Sequence, residues 1–509
     1  MRHFALSLVF LAGLMAAGVS FLGAQVKYAR TPGELSLQAV LDGAAVGNSQ
    51  MHTDWLRTVG FRGQRIARNA PFDLQLQSTL QQHQDKKPLT PLEYALQQGT
   101  TYQVAVSRQL RSGITLAPSV AVSRARFAVP GAPAAGSAEA GLSLAVPLLY
   151  NRGGAVTSRA IEVADLDMEV VTGSWHTTVN GALLGVVGAY WSYVAAVDRA
   201  VVQRGAEARA QRLLDETTQL VAKEERAPAD LQQLRATVAS RRAARILSEQ
   251  AVDEARVQLG TLMGIDAAGT LGLGAPTTPF PAATDSAAAA PLQVARLEAL
   301  ARVRRADLGA VRTSNRAFEL ELEQFRHAQK PRLDLVVNLG YQGFTQGQGF
   351  DHLVSPLFRN VPGLNASVRL RYDRAFTNSA ALGQVMQEAA LLEQQRVRLL
   401  DVERQVTTDV AVSALGLERA VVARRESEHA VALYRLTVEN EQRKLKLGMN
   451  TLFDVINAED ALTNALLTAI NNRRVHAMAI AGVRAATGTI AEMDGEVVRV
   501  DQARLLSPP

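Results

Sequence analysis

The chain contains 509 residues, of which 47% are hydrophobic, 20% charged and 5% aromatic, and its formal net charge is +6. It is rich in Ala, Leu, Val, Arg, Glu and Gln, a composition that favours long helices and is not that of a typical enzyme. The positive charge is spread along the chain and does not indicate nucleic-acid binding. The absence of cysteine excludes disulfides, thiolate metal sites and lipid attachment through an N-terminal cysteine.

The N-terminus has the pattern of a secretory signal peptide. Arg2 and His3 precede an apolar run, residues 4–19, and small residues before Gln25 fit a cleavage point. We therefore expect residues 1–24 to be removed and the mature chain to act outside the cytoplasm. An uncleaved membrane anchor of similar length is the alternative.

Several segments of the first half alternate apolar and polar residues, as the strands of an outer-membrane barrel do. They are residues 72–77 after Pro71, residues 102–110 and 114–124 as a hairpin turning at Arg111-Ser112-Gly113, and residues 142–146 before Pro147. The middle pair has a folded extracellular loop as its alternative, because short alternating runs are ambiguous.

A helical pattern follows from about Ala155 to Ala222, which at ~1.5 Å per residue corresponds to a rod on the order of 100 Å. Apolar residues recur in it every seven positions, a spacing that indicates side-by-side coiled-coil packing. They are Ile161, Met168, Trp175, Ala182, Ala189 and Ala196. The uncharged stretch Gly181–Val197 has the minimum length of a spanning helix. We interpret it as buried, because its counterpart Gln405–Val421 contains Asp, Glu and Arg.

The second half shows the same two kinds of pattern. Residues 333–342 and 364–372 alternate as strands do, and Arg369 and Arg371 fall on the polar side of the second. We expect these two arginines to face the barrel lumen as solvated residues of a wide pore. A seven-residue stripe then follows, formed by Val385, Leu392, Leu399, Val406, Ser413 and Ala420.

The two halves repeat at a constant interval. Gly264 and Gly488, which end two helical patterns, are 224 residues apart (488 − 264), and Asp230 and Asp454, near the starts of those helices, are also 224 apart (454 − 230). A fixed interval indicates a duplicated structural unit. The fold class predicted is a mixed α and β membrane protein in which each unit supplies long antiparallel coiled-coil helices and strands.

The number of strands has a physical consequence. Four or six strands per chain cannot close a barrel, since lipid leaves no sheet edge unpaired and single-chain barrels have at least eight strands. The strands are therefore predicted to join a shared trimeric outer-membrane β-barrel of 12 strands, or of 18 if the middle hairpin is included.

Three segments carry a family resemblance. Arg305–Leu308 resembles a helix start after a mid-chain linker, Lys330–Leu333 resembles the start of a third strand, and Lys446–Glu459 resembles a second periplasmic helix tip. Together with the repeat and the placement of the strands, they make residues 34–490 similar to TolC-type outer-membrane efflux proteins. The resemblance implies a homotrimer in outer-membrane lipid, with a periplasmic helical tunnel whose tips dock to a periplasmic adaptor protein of an inner-membrane transporter.

The resemblance also implies site residues. It places the entrance constriction at Asp454 and Asn457, where a ring of one Asp454 per chain would select cations. The simpler interpretation of Asp454 is a first-turn charge that suits the helix dipole. The positions implied for adaptor docking are Arg226, Pro228, Asp230, Leu447, Gly448, Met449 and Asn450.

The chain departs from the family pattern at four tip positions. Asn457 replaces a second acidic residue, Asn450 an arginine, Leu445 a tyrosine, and Glu224 the usual glycine of the first tip. We therefore expect fewer ionic locks at the closed entrance and a different adaptor contact at the first tip.

No catalytic signature is present: the eight His are scattered, and there is no HExxH, P-loop or GxSxG motif. The sequence thus predicts a non-enzyme without metal or cofactor, and no nucleic-acid partner. Its predicted parts are the signal peptide 1–24, a first repeat 25–266, a linker 267–291, a second repeat 292–490 and a C-terminal tail 491–509.

The predicted function is a passive exit duct in the outer membrane, extending into the periplasm and energised by an inner-membrane partner of a tripartite efflux or type I secretion system. The alternative is a periplasmic coiled-coil scaffold or adaptor without a pore. The alternating strands favour the duct, because a scaffold has no use for them.

Overall fold

The computed structural model describes residues 35–84, 96–127, 133–224, 227–282, 293–347, 351–359, 363–494 and 497–509, so the predicted signal peptide lies outside the described residues. The helices are α1 Leu37–Gly47, α2 Ser49–Ala67, α3 Gly154–Thr157, α4 Arg159–Ala222, α5 Ala229–Leu262, α6 Ala267–Leu271, α7 Val294–Arg304, α8 Ala306–Ala328, α9 Asp351–Val354, α10 Ser379–Lys446, α11 Leu452–Ala486 and α12 Gln502–Leu505. The strands are β1 Gln75–Gln84, β2 Leu96–Gln109, β3 Thr115–Phe127, β4 Ala135–Pro147, β5 Arg332–Gln346, β6 Asn365–Asp373, β7 Glu492–Asp494 and β8 Val497–Arg499.

Strands β1 to β6 form one antiparallel sheet in which each strand pairs with its neighbours in sequence, so that β1 and β6 are its edges. The register aligns the alternation of all six strands. One face, called the apolar face, carries Leu76, Leu80, Val104, Val106, Val120, Val122, Leu142, Leu144, Leu335, Val337, Val368 and Leu370. The opposite face, called the polar face, carries Gln77, Thr79, Gln103, Ser119, Ser123, Ser143, Asn338, Ser367 and Arg369.

The middle hairpin of the first half belongs to this sheet. Its turn is closed by a 2.7 Å hydrogen bond from Leu110 N to Ile114 O, and Gly113 has a φ of +91°. Each of the six strands of this sheet therefore overlaps a segment that the sequence predicted, and the extra pair is included. The start of the first strand was wrong: Phe72 lies in a 3₁₀ turn, Ala70–Phe72, and β1 begins only at Gln75, because Pro71 in the first turn of a helix leaves no needed N–H unpaired.

The long helices form two antiparallel hairpins, α4 with α5 and α10 with α11, and α8 packs against α4 and α10. α4 has 64 residues and α10 has 68, which makes each about 100 Å long. None of the twelve residues in the seven-residue stripes is exposed, so the stripes face inward as predicted. This confirms the coiled-coil interpretation.

The uncharged stretch of α4 is buried. Among the described residues, α4 alone is long and apolar enough to cross a membrane, but 61% of its most apolar window is buried. Tyr190 and Trp191 are fully buried within the stretch. The interpretation as a buried helix segment is confirmed.

The described part of the predicted linker and the predicted tail pack together around α1 and α4. The hydroxyl of Tyr190 donates to Leu35 O at 3.2 Å and accepts from Thr278 N, in the linker, at 3.0 Å. Residues 491–509 form β7, β8 and α12, and the backbone N–H groups of Gln38 and Gln502 donate reciprocally to each other's side-chain oxygens at 3.2 and 3.0 Å. These segments form one apolar cluster midway along the long helices.

The 224-residue repeat has a structural counterpart at its two glycines. Gly264 follows the end of α5 and has a φ of +73°. The space that a Cβ of this residue would need is occupied by Gly47 O, at the break between α1 and α2. Gly488 follows the end of α11 and has a φ of +68°. The space that its Cβ would need is occupied by Arg304 O, at the break between α7 and α8. In each half, the end of a long hairpin therefore packs against the break between two shorter helices. Both positions require glycine, because the φ is positive and the neighbouring backbone leaves no room for a side chain.

Replacing Gly264 by alanine is expected to lower the free energy of unfolding by about 3 kcal/mol or more, since a non-glycine residue is strained at this φ. Its Cβ would also lie 1.9 Å from Gly47 O. Thermal unfolding of the purified protein measures the loss. The control is Gly383→Ala in α10, where a Cβ meets nothing within 4 Å; equal melting temperatures for both variants contradict the prediction.

Candidate functional site: the helix tips and the polar face of the sheet

The second tip joins α10 to α11 through a tightly hydrogen-bonded turn. Gly448 has φ +69°, its N–H donates to Leu445 O at 3.2 Å, and Met449 N donates to Lys444 O at 2.9 Å. This pair of bonds is a Schellman end of α10, which the glycine makes possible. Leu447 and Met449 remain exposed at the turn, both at 72%.

Asp454 completes a capping box at the start of α11. Its carboxylate accepts from Thr451 N at 2.9 Å and from Thr451 Oγ1 at 2.6 Å, and its own N–H donates to Thr451 Oγ1 at 3.4 Å. The hydrogen bonds from the Thr451 side chain and backbone lower the pKa of Asp454, so the residue is ionised at neutral pH. Asp454 and Asn457 are both exposed on one side of the first two turns. Asp454 therefore lies in the first turn, where the sequence analysis expected its charge to suit the helix dipole, and it also caps the helix while its charge stays exposed.

Asn450, at the position where the sequence resemblance implies an arginine, forms hydrogen bonds between the tip and α10. Its Nδ2 donates to Glu441 O at 3.0 Å and to the Glu441 carboxylate at 2.7 Å, and Lys444 Nζ donates to the same carboxylate at 2.7 Å. These contacts, with Lys444 first, lower the pKa of Glu441. Leu445, at the family's tyrosine position, packs against a small apolar cluster that contains Leu452.

The first tip has a strained residue in place of glycine. Glu224 adopts φ +60°, the left-handed conformation that glycine favours. Pro228 is the N-cap of α5, and Asp230 lies in the first turn of that helix. Arg226, predicted as a docking residue, lies outside the described residues. The first tip therefore turns through a left-handed residue that is not glycine.

Two consecutive acidic residues of α11 bind three other helices just above the second tip. Glu459 accepts from Arg209 Nε of α4 at 2.6 Å and from Gln442 Nε2 of α10 at 3.1 Å. Asp460 forms an ion pair with Arg241 of α5. We call the two ion pairs, Arg209–Glu459 and Arg241–Asp460, the tip latch. The sequence gives no signal for the tip latch, because neither partner arginine is near these acids in the chain.

A groove opens between the four tip helices beside the latch. Its volume is about 450 Å³, and it is lined by both apolar and charged residues, among them Leu213, Leu234, Val438, Ile456, Lys446 and Asp230. Such a groove lies between the two hairpins and reaches the predicted docking residue Asp230. The latch and the groove thus lie at the same level near the tips of the two hairpins.

Arg369 and Arg371 lie on the polar face of the sheet at its helix-proximal end. Arg369 is opposite Val336 and Arg371 is opposite Asp334 on β5, and Arg371 Nε donates to Asp373 at 2.7 Å. Both arginines are exposed. They therefore share a face with the other polar strand residues, as the alternation predicted.

Comparison by sequence finds no relatives: no protein-family model matches the chain, and no curated protein matches it significantly. Comparison by structure finds several. The chain is 14% identical to the outer membrane protein VceC of Vibrio cholerae with a TM-score of 0.66, covering 89% of this chain and 96% of that one. The chain is 13% identical to the Campylobacter jejuni CmeC outer membrane channel, with a TM-score of 0.63 over 89% of this chain and 85% of that one. It is 15% identical to the Neisseria gonorrhoeae MtrE outer membrane channel, with a TM-score of 0.61 over 89% of this chain and 88% of that one.

The chain thus has the fold of outer-membrane channel proteins. In each case the similarity covers about nine-tenths of this chain. The resemblance to TolC-type proteins predicted from the sequence is confirmed at the level of the fold.

Proposed function

We propose that the chain forms a homotrimeric channel in the outer membrane, with its sheet in lipid and its helices in the periplasm. The observation that carries this proposal is the two-faced six-stranded sheet with open edges at β1 and β6. An open edge is not tolerated in hydrocarbon, so β1 of one chain must pair with β6 of another. Three chains would then close a barrel of 18 strands, which is wide enough for an aqueous channel.

The outward surface of α10 supports association of the helices as well. Its more than half-exposed apolar residues are Leu382, Met386, Val397, Leu400, Val412, Leu415, Val422, Leu433 and Leu436. An apolar stripe along a 100 Å helix has a large cost in water, and packing against a neighbouring chain removes that cost. The same three chains that close the barrel would thus close a helical tunnel.

The tunnel end is the proposed entrance. Asp454 is ionised and exposed there, and one copy from each of three chains would make an anionic ring that favours cations. The exposed Leu447 and Met449 and the groove beside the tip latch are the proposed docking surface for a periplasmic adaptor of an inner-membrane transporter. The duct itself would be passive, with energy supplied by that partner. A pore-free scaffold does not explain the sheet.

Reconstitution in planar bilayers tests the channel. We expect a detergent-stable trimer and discrete conductance steps; a monomer without conductance supports the scaffold.

Asp454→Asn should lower cation selectivity, because it removes the ring's charge, and Asn457→Asp should raise it. Thr451→Ala is the control, since it weakens the cap and keeps the charge; if it changes selectivity as Asp454→Asn does, the effect comes from the cap and the ring is refuted.

A further inference from the structure

The loop between β5 and β6 folds back over the apolar face of the sheet at the end far from the helices. A Cβ on Gly343 would lie 1.9 Å from Pro356 O, and one on Gly136 would lie 2.4 Å from His352 O. Ala138 lies between them in the register and is 1% exposed. These small residues form a recess that the segment 351–359 fills, so this part of the apolar face is covered by protein.

The covered zone marks where lipid contact ends. Below it, apolar-face residues of β5 run from Leu333 to Tyr341, about 26 Å along the strand. At the usual strand tilt this is about 20 Å of height, most of the ~25 Å apolar band of an outer-membrane barrel. The level of Gly343 and Ala138 is therefore the outer boundary of the hydrocarbon, given the proposed membrane insertion.

Two arginines lie on the apolar face just beyond that boundary. Val122 is level with Ala138, and Arg124 is level with Gly136, one step further out; Arg126 follows on the same face. Within the described part of the chain, neither arginine forms an ion pair, and the neighbouring positions of this face on the adjacent strands are not acidic. Those positions are Gln98 and Thr100 on β2 and Gly136 on β4, and one strand further on each side the same level carries Gln82 on β1 and Thr345 on β5.

The folded loop adds to this surface. His352 is placed beside the strands by its contact with Thr345, Oγ1 to Nδ1 at 3.4 Å, and the segment 351–359 ends with the exposed residues Phe358 and Arg359. Phe358 is 80% exposed. Exposed aromatic residues at the hydrocarbon edge act as interfacial anchors, and arginine side chains reach from that edge to headgroups.

We propose that Arg124 and Arg126 form a binding site for the phosphate groups of outer-leaflet lipid, with Arg359 and Phe358 at its margin. This inference rests on the proposed membrane insertion. Arginine binds phosphate through paired charge-assisted hydrogen bonds, and a lipid phosphate lies at the height where these side chains emerge. A charge on a lipid-facing strand position costs little free energy near the interface and far more at the midplane, which fits the position of both residues at the boundary.

The test uses the delipidated full-length trimer titrated with bisphosphorylated lipid A, with bound lipid counted by native mass spectrometry. We expect Arg124→Gln/Arg126→Gln to weaken binding about tenfold or more, because the double variant removes both charges that would form hydrogen bonds to the phosphate groups. The control is Arg111→Gln, which removes an exposed arginine at the opposite end of the same hairpin and should leave binding unchanged.

Three outcomes overturn the site: unchanged binding in the double variant, equal loss in the control, or equally tight binding of a phosphate-free glycolipid. Trimer mass and bilayer conductance are recorded on the same preparations. Loss of lipid binding in a conducting trimer supports the site, and unchanged binding in such a trimer rejects the site alone. Absence of a conducting wild-type trimer rejects the proposed channel itself.

Discussion

Replacing Arg209 and Arg241 together by glutamine is expected to open the tunnel entrance. Both ion pairs of the tip latch attach α11 to the other hairpin, and the Arg209–Glu459 pair is largely shielded, with side chains 27% and 16% exposed. If each pair contributes about 1 kcal/mol to the closed form, losing both shifts the closed-to-open equilibrium roughly 30-fold. The expected result is a higher open probability in single-channel recordings, with Glu459 and Asp460 left without their cationic partners.

The matched control removes two arginines that link α4 to α5 without touching α11. Arg204 pairs with Glu249 and Arg242 pairs with Glu207, both within one hairpin. The double variant Arg204→Gln/Arg242→Gln should therefore have the same open probability as the wild type. Restoration of gating by the exchange Arg209→Glu with Glu459→Arg would show that the pair itself matters. Unchanged open probability in Arg209→Gln/Arg241→Gln would contradict the latch.

Deleting residues 96–132, which hold β2 and β3, is expected to narrow the barrel. β1 and β4 run in opposite directions, so their direct pairing keeps the sheet antiparallel. Three chains would then close 12 strands, and because barrel diameter grows roughly linearly with strand number, the diameter should fall by about one third. Electron microscopy of the trimer in lipid nanodiscs measures this directly.

The narrower barrel should also reduce conductance if the barrel limits ion flow. We expect the reduction to be clearest when the deletion is combined with Arg209→Gln/Arg241→Gln, since the entrance then no longer restricts the pore. A deletion variant that keeps the wild-type diameter would refute the 18-stranded barrel. A variant that forms no trimer is distinguished from this outcome by its mass in detergent.

The parts of the fold that follow from local pattern were predictable. Alternation at period two identified the strands, because neighbouring strand residues point to opposite faces. The left-handed turns at Gly264, Gly448 and Gly488 were predictable in the same way, since only glycine adopts that conformation without strain. Thr451 as the cap of α11 also follows from short-range hydrogen bonding.

Features that depend on residues distant in the chain were not predictable. The tip latch joins residues of α4 and α11 that are 250 positions apart. Residues 491–509 gave no pattern beyond a tail, yet they pack on α1 through residues more than 460 positions away. Such pairings depend on how helices are placed against one another, which the sequence of any one helix does not specify.

The sequence by itself determined the long helices, the two faces of the strands that it predicted and the charge at the tip, because these follow from spacing along the chain. The tertiary structure decided that the middle hairpin joins the sheet, leaving β1 and β6 as the edges that a barrel must pair. It also decided that Asp454 is bound to its own cap while Glu459 and Asp460, a few residues further on, bind the neighbouring helices. The physical reason is that register and helix packing depend on contacts between remote segments, whereas propensity and alternation act within a few residues.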